Sequence, residues 1–474
     1  MTFKKFSTLA SAAVSIVSLS FQQASAATSG IFTYTDHGSS VTIDRCDRFF
    51  TGNVTIPPMI NGKPVTAIGS QAFAYCGSSV LAVPSGVTTI GSYAFVNCTN
   101  LTSITFPETL KSIDESAFHN CIRLETVVIP KGLTSFGHAF TNCYGLKNVV
   151  FQQGVTTISD DAFSGCPRLE KIEIPESVTQ IGSSAFRSCS KLKNLVLPSG
   201  VRTIGDHAFS SSGLVSLKLP PTVTVIGKGA LAGCAALKSV KLPPDITEIS
   251  DSLFADCPNL TVPEIPSKVA RIGNDAFASS KCLTVSIPER VRVIGNKAFA
   301  NCLNLDSALF TGKAPEMGTH VFYGAVPDFK IFIPEGKAGY TLPKWHGYRT
   351  SLPAAEISVR TEDEKRIGSG AVVTRFGDSI VGEASLAKRF TIFNVGSRKL
   401  TGLHAKIGGG NSSDFTVTTL TKSSLSPGKS ATVEIQFLPK KPGARLSELR
   451  IMSSDSNEIP FVIKLKGTGL QLIK

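Results

Sequence analysis

Eleven cysteines are the residues of this 474-residue chain best suited to chemistry, through disulfides, metal binding or thiol reactivity. Nine recur at one offset, three residues after a phenylalanine or, once, a leucine: Cys76, Cys98, Cys121, Cys143, Cys166, Cys189, Cys234, Cys257 and Cys302. Ser212 and Ser280 take this position in two further copies. A position that accepts serine behaves as a small buried residue in a turn, so the sequence predicts shielded free thiols. Disulfides between some neighbouring copies remain the alternative. Of the two cysteines outside the series, Cys46 and Cys282, the second is expected to be the more accessible.

Other constellations that could support chemistry are weak. Zinc needs convergent pairs of Cys or His, and the nearest approach of these residue types is His119 with Cys121. Asp160 and Asp161 lack the surrounding acidic loop of a calcium site. The sequence contains no nucleophile elbow, zinc-binding helix motif or paired catalytic carboxylates. It therefore predicts no catalytic residues, no metal and no cofactor.

The phenylalanines before these cysteines belong to a longer repeat. They recur every 22 or 23 residues, as Phe73, Phe95, Phe118, Phe140, Phe163, Phe186, Phe209, Phe254, Phe277, Phe299 and Phe322, with Leu231 in the one vacant position. An aliphatic residue, such as Ile181, precedes most of them by five positions. A fixed period in this range, with apolar residues at constant offsets, is typical of a stacked solenoid. One coil cannot enclose its own apolar side chains, so each must lie on the next.

Each coil has two limbs, illustrated by residues 177–198. Leu192, Leu195 and Leu197 predict a short strand with one buried face, ended by a proline. The return limb, residues 181–186, carries apolar residues at helical spacing, with Gly182 easing the turn. We expect a short helical or 3₁₀ segment there. Strands stacked about 4.8 Å apart would form a continuous parallel sheet on one side.

These motifs identify a family resemblance. The pattern L-x-x-[ILV]-x-[ILF]-P followed by V-T-x-I-G-x-x-A-F-x-x-C resembles the BspA-type, bacterial surface antigen-like, leucine-rich repeats. The resemblance runs from about Val65 to Phe322. It implies a curved repeat protein, secreted or displayed on a bacterial surface, that binds other proteins and has no catalytic residues.

The rest of the chain divides into four further segments. Residues 1–26 have the charged start, apolar run and A-x-A site of a signal peptide, with cleavage expected before Ala27. Residues 27–64 are predicted to be an N-terminal β cap, residues 65–322 the repeats, and residues 323–353 a C-terminal cap and linker. Trp345 is expected to be a cap residue, with a ligand platform as the alternative. No later run is long enough to cross a membrane.

Residues 354–474 lose the period and show about seven short alternating strands, which predicts an immunoglobulin-like β-sandwich. The motifs F-T-I-x-N-x-G at Phe390, L-x-P-G at Leu425, F-x-P at Phe437 and L-x-G-T-G at Leu465 resemble the choice-of-anchor D module, a relative of the ASPM/Hydin-like sandwiches. The predicted fold class is therefore mainly β with short helical turns, a leucine-rich-repeat solenoid of about 12 repeats followed by this sandwich.

Charge and composition limit the functions. The net charge is +13, yet no run of Lys or Arg exceeds two residues. Nucleic-acid binding usually shows a clustered basic stripe, so no nucleic-acid partner is predicted. We expect an exported, non-catalytic binding protein whose partner is another protein, with an anionic glycan or cell wall as the other partner considered. The alternative is a structural, self-assembling surface component, and a glycan-acting enzyme is least favoured.

The outward residues of the predicted strands form the candidate binding site. They are Ser103, Thr105, Thr126, Val128, Asn148, Val150, Lys171, Glu173, Asn194, Val196, Lys218 and Lys241, with Ser216 and Ser239 in the same positions. Val128, Val150 and Val196 are expected to share one lane. An exposed apolar lane is a reasonable contact patch, although exposed valine also reflects β-propensity alone.

Overall fold

The computed structural model describes residues 26–47, 50, 53–133, 136–152, 154–370, 372–456 and 460–471. The predicted signal peptide lies outside these residues except for Ala26, which begins the first strand. The chain is mainly β, a solenoid of about 13 turns followed by a two-sheet domain. The predicted solenoid is thereby confirmed.

The N-terminal strands are β1 (Ala26–Ser29), β2 (Phe32–Asp36), β3 (Val41–Cys46), β4 (Met59–Ile60) and β5 (Lys63–Ile68). Strands β1, β2 and β3 pair antiparallel, and β3 then pairs parallel to β5. The ring of Phe32 packs on that of Phe73 at 6.1 Å. Antiparallel strands therefore cover the first coil and pass into the parallel stacking of the repeats.

Two limbs of short strands alternate along the solenoid. In chain order they are β6 (Val80–Ala82), β7 (Thr89–Ile90), β8 (Ser103–Thr105), β9 (Ser112–Ile113), β10 (Thr126–Ile129), β11 (Asn148–Phe151), β12 (Thr157–Ile158), β13 (Lys171–Ile172), β14 (Gln180–Ile181), β15 (Thr203–Ile204), β16 (Ser216–Lys218), β17 (Val225–Ile226), β18 (Ser239–Lys241), β19 (Glu248–Ile249), β20 (Arg271–Ile272), β21 (Thr284–Ile287), β22 (Val293–Ile294), β23 (Ser307–Phe310), β24 (Glu316–Met317), β25 (Lys330–Phe332), β26 (Lys344–Trp345) and β27 (Tyr348–Ser351).

The first limb does not form one continuous sheet, so that prediction is wrong. It is divided into a sheet ordered β13-β11-β10-β8-β6, the pair β16-β18, and a sheet ordered β21-β23-β25-β27-β26. In the coil between β18 and β21, Pro263 occupies the position of the central inward leucine and has no N–H to donate. In place of a ladder, an isolated bridge joins Thr261 to Lys281 of the following coil, and the amide of Thr261 donates to the carbonyl of Lys238 of the preceding coil at 3.2 Å.

The return limb is built from tight turns, and the predicted short helix there is wrong. The amide of Arg187 donates to the carbonyl of Ser184 at 3.0 Å, which closes a turn, while the amide of Ser184 donates to Asp206 of the next coil at 2.7 Å. Ser184 has a φ of 53° and Ser188 a φ of 60°, in the left-handed region that interrupts a helix. The only helical element among the described residues is a 3₁₀ turn, Ser412–Asp414.

Gly182 is required by close approach between coils rather than by turn geometry. A Cβ placed on it would lie 2.5 Å from the backbone nitrogen of Asp160 in the preceding coil. The same relation recurs along the solenoid, where a Cβ on Gly205 would lie 2.5 Å from the nitrogen of Ser183. The glycine column therefore lets two backbones touch where a side chain would separate them.

The phenylalanine column is the centre of the solenoid core. Phe186 is fully buried, and its ring lies 5.7 Å from Phe163 and 5.6 Å from Phe209, with interplanar angles of 18° and 1°. These near-parallel rings follow the coil spacing, so each ring fills the space between two neighbours. Leu231, also buried, continues the column where the ring is missing.

The described residues of the C-terminal domain form nine strands in two sheets: β28 (Ile357–Thr361), β29 (Arg366–Ile367), β30 (Val372–Ile380), β31 (Lys388–Asn394), β32 (His404–Gly408), β33 (Phe415–Leu420), β34 (Ser430–Phe437), β35 (Gly443–Met452) and β36 (Phe461–Leu470). One sheet has the order β29-β28-β31-β34-β33, and the other β30-β36-β35-β32. Buried residues of both sheets form one core, separate from that of the solenoid.

The motif residues of this domain contact one another. Asn394 is fully buried, and its side-chain amide donates to the carbonyls of Arg398 at 2.7 Å and Leu425 at 2.9 Å. A Cβ on Gly467 would lie 2.4 Å from the ring of Phe437. The asparagine therefore ties two loops together, and the glycine leaves space for a core ring.

We predict that Phe186→Ala lowers the free energy of unfolding by about 3–5 kcal/mol, because it removes a buried ring and leaves a cavity between two others. The loss should concentrate in adjacent coils, since contacts in a solenoid join neighbours. Thermal melting followed by circular dichroism measures the total, and hydrogen exchange locates it. Val196→Ala in the same repeat, 84% exposed, is the matched control. An unchanged melt for Phe186→Ala would contradict the burial of this ring.

Candidate recognition face

The outward residues of the first limb between Val80 and Ser286 form an open surface, here called the strand face. In each coil three residues of the L-x-x-L-x-L pattern point inward, and Leu192, Leu195 and Leu197 are all buried. The residues between them are exposed because successive side chains in a strand point to opposite sides. The strand face is thus a direct product of the repeat pattern.

Two rows of predicted binding residues run across this face. The first row is Ser103, Thr126, Asn148, Lys171, Asn194, Ser216 and Ser239, all exposed except the half-buried Asn148. The second row is Thr105, Val128, Val150, Glu173, Val196, Lys218 and Lys241, all exposed. The rows keep strict register where strands pair: Val128 lies opposite Val150, and Lys218 opposite Lys241.

The three candidate valines are not contiguous. Val128 and Val150 are neighbours and are 42% and 43% exposed. Val196, 84% exposed, lies two coils further on, beyond Glu173. The structure therefore brings two valines together and places the third beside the lysines, where an isolated bridge joins Val196 and Lys218.

The structure shows a third exposed row, which the sequence analysis did not predict. It consists of the residue directly after the first leucine of each coil, including Thr102, Glu125, Lys147, Glu170, Lys193, Lys238 and Thr261. A strict two-residue period assigns this position inward, but the chain is still leaving a turn there. Two consecutive residues, such as Lys193 and Asn194, are consequently both exposed. The sequence did carry a signal for this row, because the L-x-x-L-x-L pattern leaves two consecutive non-leucine residues between its first and second leucines.

The C-terminal domain covers the continuation of this face on the last coils. Ser307, in the first row's position, donates its hydroxyl to the carbonyl of Val395. Arg360 forms a 2.7 Å ion pair with Asp306, and their side chains are 3% and 1% exposed. Ser358 also donates to Asp306, at 3.3 Å. This face therefore already binds one protein surface, the chain's own, through a buried polar contact.

The thiols of the cysteine series are structural. The thiol of Cys189 donates to the carbonyl of Phe163 at 3.2 Å, and Ser280 makes the equivalent bond to Phe254 at 3.0 Å. The same bond recurs from Cys98, Cys121, Cys143, Cys166, Cys234, Cys257 and Cys302. Burial raises the pKa of Cys189 to about 12, which suppresses the reactive thiolate. No described cysteine forms a disulfide.

Cys282 is 1% exposed and Cys46 is 3% exposed, so the expectation that Cys282 is the more accessible of the two is wrong. It fills the first-leucine position of its coil, and Leu283 follows half-buried. The most exposed cysteine is Cys76, at 8%. Its hydrogen bond with Cys46 lowers the pKa of Cys76 and raises that of Cys46.

The other candidate groups have structural positions. Asp160 accepts the amide of Ser183 at 2.6 Å and so links two coils. Burial lowers the pKa of His119. Trp345 is buried edge-on against Phe310 at 5.5 Å. Within the residues that the structure describes, no group of three or more His, Cys, Asp or Glu could hold a metal ion, and no helix could span a membrane.

Comparisons with known proteins give the repeats a family and a fold. The family model described as BspA type leucine rich repeat region matches in six copies over residues 66–193, 137–235 and 202–327, together more than half of the chain. No curated protein matches the sequence.

Solved leucine-rich repeat proteins are similar. A leucine-rich repeat protein from Bacteroides ovatus has 24% identity and a TM-score of 0.50, covering 68% of this chain and 98% of that one. A leucine rich cell surface protein from Faecalibacterium prausnitzii has 31% identity and a TM-score of 0.40, covering 61% and 95%. The pneumococcal vaccine antigen PcpA has 20% identity and a TM-score of 0.48, covering 66% and 94%. The first of these shows the shared fold.

We predict that an alkylating reagent labels the nine serially placed cysteines only after denaturation, because each is buried and most have raised pKa values. Intact-mass spectrometry before and after denaturation counts the labels. As denaturant is raised stepwise, Cys76 should be the first of the nine to react, because it is the most exposed of them in the folded chain. Recovery of most of the nine in disulfides would overturn this assignment.

We predict that Arg360→Met releases the C-terminal domain from the solenoid, because it removes the Arg360–Asp306 pair and leaves the buried carboxylate of Asp306 with only the 3.2 Å ion pair from the part-exposed Arg366. Removing one partner of a buried pair costs about 3–5 kcal/mol. Small-angle X-ray scattering should show a larger radius of gyration, and the linker near residue 353 should become sensitive to protease. Lys281→Met, which breaks the exposed 2.6 Å pair with Glu364, is the control and should change neither. An unchanged radius for Arg360→Met would contradict the proposed role of the pair.

Proposed function

Since the chain belongs to the BspA-type leucine-rich repeat family, we propose that it is an exported, non-catalytic recognition protein that binds a protein partner through its strand face. Leucine-rich repeat proteins typically mediate protein binding or adhesion, so the family supports this role. The residues proposed to bind are those of the first and second rows, from Ser103 to Lys241.

The observation that carries the proposal is the docking of the C-terminal domain. On the last coils, Asp306 and Ser307 of the solenoid bind Arg360 and Val395 of that domain. The same rows continue without cover over the preceding coils, where their side chains are exposed. An exposed strand surface of the same construction, with valines beside small polar groups, suits a second protein surface.

Export is supported by the sequence and by the start of the fold. The charged and apolar residues of the leader end at Ala24-Ser25-Ala26, and strand β1 begins at Ala26. Cleavage before Ala27 would leave nearly all of β1 in the mature protein. The similar protein from F. prausnitzii is described as a cell surface protein, and we assign the same location to this chain.

For the C-terminal domain we propose an immunoglobulin-like sandwich of the choice-of-anchor D type. Its two sheets share one core, and the motif residues Asn394, Leu425 and Phe437 lie buried within it. Its proposed role is to hold the solenoid in a fixed orientation at the surface, with residues 323–353 as the joint.

Self-assembly is the alternative function, and one feature favours it. Among the described residues, strand β1 lies at the outer edge of the N-terminal sheet, where its outward backbone groups could pair with another copy. Light scattering on the purified protein decides between the two functions, since recognition predicts a monomer and assembly predicts concentration-dependent growth.

We predict that changing Val128, Val150 and Val196 together to Glu abolishes partner capture from envelope or host extract, because three charges would be buried at the contact. The melting temperature should stay within a few degrees, since all three side chains are exposed. Val225, Leu386 and Leu446, exposed elsewhere at 55%, 89% and 53%, provide the matched triple control. Capture that survives the first triple change would place the site elsewhere, with the C-terminal domain as the next candidate.

A further inference from the structure

Lysines stand in direct register on the later part of the strand face. Lys218 on β16 lies opposite Lys241 on β18, and Lys193 and Lys238 are exposed in the third row beside them. None of these four has an ion-pair partner among the described residues. Other exposed lysines do reach an acid on the neighbouring coil, as Lys147 reaches Glu125 at 2.9 Å and Lys268 reaches Asp245 at 2.5 Å.

This arrangement is unfavourable for the free protein. Like charges directly opposite each other on paired strands are destabilising, and the two backbones are only about 4.8 Å apart. Glu at either position would make a coil-to-coil pair of the kind found at Lys147 and Glu125. Two lysines in register therefore raise the local positive potential and favour an anion that can lie between them.

Hydrogen-bonding groups lie between the lysine rows. Ser216 and Ser239 are exposed and stand in register in the first row, between Lys238 on one side and the Lys218–Lys241 pair on the other. Hydroxyl and ammonium donors on neighbouring coils suit a carboxylate, which accepts several hydrogen bonds through its two oxygens. These five residues are here called the lysine patch.

The surroundings of the lysine patch favour a protein over a sugar polymer. The patch and its neighbour Val196 contain no aromatic side chain on which a sugar ring could stack. Val196, 84% exposed and bridged to Lys218, instead presents an isolated aliphatic group beside the charges. An apolar contact beside charged groups is typical of protein interfaces.

We propose that the lysine patch binds an acidic segment of the protein partner, with Asp or Glu carboxylates between Lys218 and Lys241 and an apolar side chain on Val196. This inference rests on the proposed function, since it assigns partner chemistry to the same strand face. It also locates the strongest contact at the later coils, beyond the neighbouring valines Val128 and Val150.

The test uses the full chain and fluorescently labelled poly-L-glutamate, followed by fluorescence anisotropy at increasing salt. The wild type should bind, and binding should weaken with salt because the contacts are exposed charges. Lys218→Glu with Lys241→Glu should weaken binding at least 10-fold. Lys440→Glu with Lys441→Glu, an exposed pair in the C-terminal domain, makes the same change in net charge and should leave binding within about 2-fold. Equal losses in both double variants would overturn the proposal.

Two further measurements separate the lysine patch from a structural or sugar-binding role. Lys218→Thr should weaken poly-L-glutamate binding several-fold and melt no lower than the wild type, because it relieves like-charge repulsion. A lower melting temperature would contradict the proposal. Alginate, a carboxylated polysaccharide, should bind more weakly than poly-L-glutamate, and tighter, patch-dependent alginate binding would overturn the choice of a protein.

The same variants distinguish this inference from the proposed function. If the valine triple change abolishes partner capture while the Lys218 and Lys241 double change does not, the strand face binds the partner and the acidic chemistry is wrong. If neither change affects capture, the proposed function itself fails. Loss of capture in both sets supports both.

Discussion

The distance between successive coils is the constraint on which the whole molecule depends. Backbone amides of one coil donate to carbonyls of the next, as Ser184 does to Asp206 at 2.7 Å. At that spacing, every side chain directed inward must rest on its counterpart one repeat away. The phenylalanine rings therefore stack nearly parallel, the glycine positions have no space for a Cβ, and thiols such as that of Cys189 lie within hydrogen-bond distance of a carbonyl in the preceding coil. The repeated phenylalanine, glycine and cysteine positions all follow from the spacing between successive coils.

The repeat and its buried residues were predictable because the same pattern recurs many times in the sequence. Periodicity fixed the identity of Phe186, Leu192, Leu195 and Leu197 as core residues, and all four are buried. The conformation of the return limb was not predictable in this way. Apolar residues at positions 181 and 185 fit a helical spacing equally well, and the left-handed backbone at Ser184 leaves no trace in hydrophobic pattern. Inter-coil hydrogen bonds replace those that a helix would make within itself.

Sequence reasoning was also limited wherever a side chain's role depends on distant parts of the chain. Cys282 was set apart because it breaks the cysteine offset, yet it occupies the position of a leucine in its own coil. The contact of Arg360 with Asp306 joins residues that no local motif connects. The outward rows were foreseen in part, because strand alternation is local, but the row containing Lys193 follows a turn where alternation has not begun. What these rows bind stays a proposal.

The direction of the inter-coil hydrogen bonds has a mechanical consequence. They run along the long axis of the solenoid, so tension applied between its two ends would separate neighbouring coils one after another. Each release would lengthen the chain by one repeat while the remaining coils kept their packing. A solenoid built this way yields gradually under load, and it can reform coil by coil when the load falls.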